Sequence, residues 1–244
     1  MTKLNRMEQQ LFFEFQPIVQ VSKNGEFEAI IAKEALLRSN DTNGFPENFF
    51  NLSTKSEFET DQLFDCFFKM VNNFFENNNQ IRLHVNIDPK QIKLSSTASK
   101  LQHWLPFVNL VIIELTEGQM TDGIRNINQI EAIKAYLDQM RNLGFRTAMD
   151  DVGTGENQMD LAESLKKRFD LIKFTLVPYI NLPDEQLKKE LAKWQQFAKQ
   201  NALEFIIEGI ETAEQAGHFA NQGFRLQQGF YWDAFVNQKQ IQSR

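Results

Sequence analysis

Short apolar runs alternate along the chain with longer segments in which apolar residues recur every three or four positions. The short runs predict eight β-strands at 12–19, 27–37, 81–87, 110–115, 145–149, 171–174, 204–207 and 225–229. The longer segments predict helices at 59–75, 126–143, 159–168, 185–200 and 213–222. Strands that alternate with helices are typical of a parallel sheet, and eight of them favour a closed barrel of the TIM type.

The first two predicted strands are separated only by residues 20–26. A parallel crossover needs a dozen or more residues, so these two strands are expected to pair antiparallel. Polar residues at 39–44 and 77–79 predict loops between elements. We therefore predict one α/β domain over residues 1–244, a TIM-like (β/α)8 barrel with an antiparallel first strand.

Composition narrows the class of protein. The 244 residues carry a net charge of −6, which gives no basic surface for a DNA or RNA duplex. Cys66 is the single cysteine, so no intrachain disulfide is possible, and no apolar run approaches the ~18 residues that span a membrane. The N-terminus lacks a signal-peptide pattern, which predicts a cytoplasmic protein. The acidity reflects either a local metal pocket or a generally acidic surface, and composition does not separate the two.

Polar side chains fall at the C-terminal end of strand after strand. They are Glu34, Asn86, Glu114, Asp150, Asp151, Lys173, Glu208 and Gln228. Strand ends of a barrel converge on one face, which carries the active site in such folds. Oxygen donors without a histidine or cysteine cluster suit Mg²⁺ or Mn²⁺, and adjacent aspartates can bridge two ions ~3.5–4 Å apart. With a lysine to hold an attacking water, this set indicates phosphoester hydrolysis.

Each of these residues also has a plainer interpretation. Glu34 could be an ordinary charge at a strand end, the paired aspartates could cap the next segment, and Lys173 could lie on the surface. Glu114 and Glu208 adjoin isoleucine pairs, where a carboxylate is unfavourable unless it is paired or bound to metal. The three histidines, His84, His103 and His218, are interpreted as structural. His84 lies two residues before Asn86 and is expected near the pocket, but no second histidine at ligand spacing supports a zinc site.

Seven motifs in order carry a family resemblance. The triplet Glu34-Ala35-Leu36 stands within Lys-Glu-Ala-Leu-Leu-Arg, and the other six motifs lie at 15–19, 85–89, 113–117, 150–155, 207–212 and 228–231. With these motifs the chain resembles the EAL-domain family of cyclic di-GMP phosphodiesterases. The resemblance covers about residues 12–236 and implies a stand-alone EAL domain.

The resemblance implies two metal sites that share Asp150. One is formed by Glu34, Asn86, Glu114 and Asp150, and the other by Asp150, Asp151 and Glu208. Lys173 would contact the attacking water, Glu211 would support Lys173, and Glu117 would anchor the loop that follows the paired aspartates. The implied reaction opens cyclic di-GMP to linear pGpG with two Mg²⁺ or Mn²⁺ ions.

Four further residues would line the nucleotide site: Gln16, Leu36, Arg38 and Gln228. Arg38 would bind a substrate phosphate, and its plainer interpretation is a salt bridge in a loop. The resemblance also implies a homodimer that forms near the loop after the paired aspartates.

Three departures from the family pattern leave the activity open. Thr175 replaces an aspartate near the second metal, and Ser39 replaces an aromatic residue. After Asp150-Asp151 the family has Phe-Gly-Thr-Gly-Tyr-Ser-Ser, whereas this chain has Val152 and a changed segment at 156–158. The first hypothesis is an active phosphodiesterase. The second is a weakly catalytic receptor that binds cyclic di-GMP and acts through a protein partner, and the third is a protein-binding barrel that has lost the nucleotide.

Overall fold

A computed structural model describes residues 11–41, 44–78, 80–92, 95–118, 127–180 and 182–242. Its strands are β1 Leu11–Val21, β2 Phe27–Ser39, β3 Arg82–Ile87, β4 Val111–Leu115, β5 Arg146–Met149, β6 Leu171–Thr175, β7 Glu204–Glu208 and β8 Leu226–Gln228. Each predicted strand is confirmed, with ends that differ by no more than two residues.

The strands close into one barrel in sequence order, from β1 round to β8. β1 runs antiparallel to both β2 and β8, and each other neighbouring pair is parallel. Gly25 lies in the turn between β1 and β2 with φ of 85°. A Cβ there would lie 2.6 Å from the Cα of Gly217, so the turn packs too closely on its neighbour for a side chain. The predicted TIM-like barrel with an antiparallel first strand is confirmed.

Nine helices in the described residues surround the barrel. They are α1 Glu47–Ser53, α2 Glu57–Asn77, α3 Pro89–Ile92, α4 Ser95–Leu101, α5 Ile127–Asn142, α6 Met159–Leu165, α7 Asp184–Gln200, α8 Ala213–Asn221 and α9 Phe230–Gln242. Short 3₁₀ turns occupy Gln102–Phe107, Lys166–Arg168 and Val177–Tyr179. The five predicted helices correspond to α2, α5, α6 with its 3₁₀ turn, α7 and α8, although residue 126 lies outside the described residues. We did not predict α1, α3, α4 or α9.

The apolar residues of the barrel form two separate layers. Outward-facing strand residues such as Val85, Ile113 and Phe174 pack against the helices in one continuous core. Inside the barrel a smaller cluster contains Ile18, Ala32, Ile112, Ala148, Leu171 and Ile206. We call this second cluster the barrel floor. No helix within the described ranges is long and apolar enough to cross a membrane.

Candidate metal centre

The inward-facing residues change from apolar to polar within one step along the strands. Successive side chains of a strand point to opposite faces, so the next inward residue lies two positions further on. These residues are Glu34 after Ala32, Glu114 after Ile112, Asp150 after Ala148, Lys173 after Leu171 and Glu208 after Ile206. Gln16 on the oppositely directed β1 pairs with Glu34 and borders this layer. We call this layer of charged side chains the carboxylate layer.

Lys173 lies at the centre of the carboxylate layer and is only 1% exposed. Its Nζ is 2.6 Å from Glu208 Oε1 and 2.9 Å from Glu34 Oε2. The same atom is 3.0 Å from both Glu114 Oε2 and Asp150 Oδ1. Side chains from five strands or strand ends, as far apart in sequence as 34 and 208, therefore meet at one ammonium group.

Glu34 is held in its ionised form by three donors. Lys173 Nζ donates to Glu34 Oε2 at 2.9 Å, and Gln228 Nε2 donates to the same oxygen at 2.7 Å. Asn86 Nδ2 donates to Glu34 Oε1 at 2.6 Å. Gln228 also donates to Gln16 Oε1 at 2.7 Å, so both predicted glutamines border the carboxylate layer. Burial alone would raise the pKa of Glu34, but Lys173 and the two amides together lower it to about 2.

The other carboxylates have too few positive charges and hydrogen-bond donors around them to offset the cost of their burial. Burial raises the pKa of Glu114 to about 8 although Lys173 opposes the shift, and burial raises the pKa of Asp150 and Glu208 well above their usual range. Burial also raises the pKa of Asp151, although the Glu208 and Thr175 side chains hydrogen-bond to it. Within the described residues the ammonium of Lys173 contacts four of these five carboxylates, so the site keeps a net negative charge when all are ionised. Divalent cations would offset this charge.

The donor atoms fit such cations. Carboxylate oxygens of Glu34, Glu114 and Asp150 lie within 4.8 Å of one another, and so do those of Glu117, Asp150 and Asp151. The two groups share Asp150, as a bridged pair of sites requires. Asn86 Oδ1 is buried and has no hydrogen-bond partner in the described part of the chain, so a neutral oxygen donor remains available. Oxygen donors of this kind suit Mg²⁺ and Mn²⁺.

The second group differs from the set that the resemblance implied. Glu117 lies beside Asp150 and Asp151, whereas Glu208 is paired with Lys173. Glu117 is therefore close enough to serve as a ligand as well as a loop anchor. The assignment of Glu208 to the second metal stays a prediction.

His84 lies beside the site, although we interpreted all three histidines as structural. It is 2% exposed, and its Nδ1 lies 2.5 Å from Glu114 Oε1. Burial, with Lys173 nearby, lowers the pKa of His84 to about 3, so the ring is neutral at physiological pH. Its place agrees with its position two residues before Asn86, which puts both side chains on the inward face of β3.

The loop after the paired aspartates is tied to the strand ends by Asn157. Its buried amide Nδ2 donates to the carbonyls of Asp150 at 2.6 Å and Leu115 at 3.1 Å. The Glu156 N–H donates to the Glu117 carbonyl at 3.0 Å, and a Cβ on Gly155 would lie 2.5 Å from that oxygen. Glu117 thus contacts this loop, as we expected of an anchor. Asn157 lies in the segment that departs from the family pattern, and its role was not foreseen.

Three predicted residues lie outside the carboxylate layer. Arg38 Nε pairs with Glu14 Oε2 at 2.8 Å across the β1–β2 ladder. Leu36 lines a cavity of about 340 Å³ together with Asn86 and Glu117. Glu211 is exposed at the start of α8, and no ion pair joins it to Lys173 in the residues that the structure describes. The support of Lys173 by Glu211 and the binding of phosphate by Arg38 stay predictions, as does the homodimer.

The fold and the site define a TIM-like barrel with a carboxylate centre suited to divalent cations at its C-terminal mouth. The model of the EAL domain matches residues 3–234, and the chain belongs to this family. A probable cyclic di-GMP phosphodiesterase of Escherichia coli strain K12, PdeG, is 25% identical over 122 residues. That match spans 50% of this chain and 23% of the relative.

Solved structures show the same fold. The PaMucR phosphodiesterase in a complex with c-di-GMP superposes with a TM-score of 0.72 and 21% identity, over 93% of this chain and 91% of the other. BlrP1 of Klebsiella pneumoniae, in a manganese and cyclic di-GMP complex, gives a TM-score of 0.71 and 24% identity over 91% of this chain and 55% of the other. An EAL domain protein of Listeria monocytogenes gives 0.70 and 20% identity over 97% and 94%.

Proposed function

We propose that this protein is a phosphodiesterase that hydrolyses cyclic di-GMP to linear pGpG with two Mg²⁺ or Mn²⁺ ions. The observation that carries the proposal is the meeting of four carboxylates at Lys173 in a member of the EAL domain family. The curated relative is described as a probable cyclic di-GMP phosphodiesterase, and two similar structures contain the cyclic dinucleotide. One of these also contains manganese.

The reaction adds water across one phosphodiester of the ring. The water oxygen bonds to phosphorus, the bond from phosphorus to the 3′-oxygen breaks, and the leaving oxygen takes up a proton. Glu34, Asn86, Glu114, Asp150 and Asp151 would hold the cations, with Glu117 or Glu208 as a further ligand. Bound cations would supply an activated water and positive charge at the attacking and leaving oxygens.

The side chains of the protein orient the reacting groups and exclude solvent from the interior. Lys173 has three N–H donors on one nitrogen, and four carboxylate oxygens lie around them. With cations bound to these carboxylates, Lys173 would contact the attacking water. Gln228 and Asn86 fix both oxygens of Glu34 by hydrogen bonds. The apolar barrel floor closes the interior beneath the carboxylate layer, so solvent and substrate enter from the mouth. Preorganised donors of this kind lower the barrier because they need not reorient during the reaction.

A product analysis tests the proposal. Purified protein should convert cyclic di-GMP to pGpG in Mg²⁺ or Mn²⁺, and EDTA should stop the reaction. Glu34→Ala should reduce turnover by at least ~10²-fold, in the range seen when one preorganised catalytic group is removed. Glu28→Ala is the matched control, because Glu28 lies on the same strand near its opposite end. Absence of turnover by wild-type protein that still binds the nucleotide would overturn the proposal.

A second candidate is a receptor that binds cyclic di-GMP with little turnover. Thr175 favours it, because this buried residue hydrogen-bonds to Asp151 where the family carries a further carboxylate. One fewer negative charge weakens the attraction for a second cation. Calorimetry that finds tight nucleotide binding without detectable hydrolysis would favour the receptor. A large rate gain in Thr175→Asp would identify Thr175 as the cause of the attenuation.

A further inference from the structure

His84 and Glu114 lie on neighbouring parallel strands inside the barrel. The register pairs His84 with Ile112 and Asn86 with Glu114, so the imidazole lies one inward step below the carboxylate. Both side chains are almost fully buried, and the Nδ1–Oε1 distance is 2.5 Å. The ring therefore approaches Glu114 from the floor side, beneath the carboxylate layer.

The two oxygens of Glu114 have different partners. Oε1 contacts His84, whereas Oε2 lies 3.0 Å from Lys173 Nζ in the middle of the carboxylate layer. Oxygens of Glu34, Glu114 and Asp150 lie within 4.8 Å of one another. A carboxylate that binds a cation is ionised and can only accept hydrogen bonds. In that state, the hydrogen of the contact must belong to His84 Nδ1.

We propose that His84 is a positioning residue for the candidate metal centre. Its Nδ1–H holds Oε1 of Glu114 and so presents Oε2 to a divalent cation. The proposal rests on the proposed function in one respect, that Glu114 is a metal ligand. Hydrogen-bonded partners behind a ligand fix its orientation, and their loss commonly weakens metal affinity ~10–100-fold.

The plainer alternative is a buried histidine that only contributes to packing. Its replacement would then lower stability and leave cation affinity unchanged. The proposed role instead depends on a donor at the position of Nδ1. Asparagine provides an N–H at a similar distance from the backbone, whereas leucine fills a similar space without a donor.

Calorimetric titration of Mg²⁺ or Mn²⁺ into nucleotide-free protein distinguishes a positioning role of His84 from a role in packing alone. His84→Leu should weaken cation binding ~10–100-fold, and His84→Asn should remain within a few-fold of wild type. His103→Asn is the matched control, because His103 is exposed in the 3₁₀ turn that precedes β4, at the other end of the barrel. A folded His84→Leu variant with wild-type affinity would overturn the proposal, as would a wild type that binds neither cation.

This titration contains no nucleotide, so its result does not depend on whether the protein hydrolyses cyclic di-GMP. Wild-type protein that binds cations with an affinity that depends on His84, and that does not hydrolyse cyclic di-GMP, would refute the function and leave the inference intact. Should His84→Leu not fold, ¹⁵N NMR of Mg²⁺-loaded wild type decides the question without any variant. Protonation of His84 at Nδ1 is expected, and a ring that carries its hydrogen only on Nε2 would contradict the inference.

Discussion

The barrel floor and the carboxylate layer occupy the same strands and the same face, one inward step apart. On β7 the floor residue is Ile206, and the layer residue is Glu208. Burying an isoleucine stabilises a fold by ~1.5–3 kcal/mol, whereas each buried ion carries a desolvation penalty of several kcal/mol. The floor therefore stabilises the barrel, and the layer opposes folding unless cations or Lys173 compensate it. Along each strand, the residue that stabilises the fold and the residue suited to bind cations therefore lie two positions apart.

The largest expected effect comes from removing the ammonium of the carboxylate layer. Lys173→Met in EDTA should lower the free energy of unfolding by ~3–5 kcal/mol, because four buried carboxylates lose their common partner. Saturating Mn²⁺ should restore part of this loss. Urea unfolding with and without the metal measures both effects. Lys166→Met, which breaks a surface pair with Glu163, should change stability by less than ~0.5 kcal/mol. Equal stability of both variants in EDTA would refute the compensating role of Lys173.

A matched pair on β7 tests the separation directly. Ile206→Ala should destabilise the protein by ~2–5 kcal/mol through loss of packing and leave the cation affinity of the folded protein unchanged. Glu208→Gln should weaken Mn²⁺ binding and leave metal-free stability equal or higher, because it removes one charge from a repelling set. Denaturant unfolding and calorimetry read the two quantities separately. A loss of cation affinity in both variants, or a loss of metal-free stability in both, would contradict the separation of floor and layer.

A smaller loss of stability is expected from Asn157, which joins the loop after the paired aspartates to the carboxylate layer. Asn157→Ala removes the donor to two carbonyls, those of Asp150 and Leu115, and should lower stability by ~1–3 kcal/mol. Displacement of Asp150 should also weaken cation binding. Gln158→Ala changes the adjacent exposed amide and serves as the control. Identical cation affinity in both variants would show that the loop does not position the layer.

Taken per pH unit, the smallest effect is the fall in stability of the metal-free protein as pH rises. Glu114 has a pKa of about 8 in the folded protein and 4.5 when unfolded, so between these values the folded state holds a proton that the unfolded state releases. Stability should therefore fall as pH rises from about 4.5 to 8, by ~1.4 kcal/mol per unit for one proton. Glu34 acts in the opposite sense, because its stabilisation is lost as pH falls from 4.5 towards 2.

Urea unfolding in EDTA at pH 5 to 8 measures the slope, and Glu114→Gln should flatten it. Cations displace protons from the carboxylates, so added Mn²⁺ should also reduce the fall in stability. A slope that Glu114→Gln leaves unchanged would assign it to other groups.

The residues that sequence reasoning located are those whose position along a strand fixes their place in space. Glu34, Glu114 and Lys173 follow apolar runs, and parallel strands of a barrel bring their ends together. The contacts that it missed depend on partners far away in sequence. Asn157 contacts Leu115 across 42 residues, and His84 contacts Glu114 across 30. Only the strand register and the path of the loop decide such contacts.

Two further outcomes have the same cause. Arg38 pairs with Glu14 because the antiparallel ladder brings the two strands together, 24 residues apart in sequence. Helix α9 is held by non-local contacts such as that of the buried Trp232 with Phe27 on β2, whose ring centroids lie 6.4 Å apart. None of these contacts leaves a periodic signal in the chain.

The central claim is that inward-facing residues of separate strands form one pair of cation sites at the barrel mouth. Anomalous diffraction from crystals that contain Mn²⁺ tests it most directly. We expect two peaks that share Asp150, ~3.5–4 Å apart, with Glu34 and Glu114 at one of them. Crystals in saturating Mn²⁺ that show no peak inside the carboxylate layer, with Lys173 still enclosed by its four carboxylates, would contradict the account.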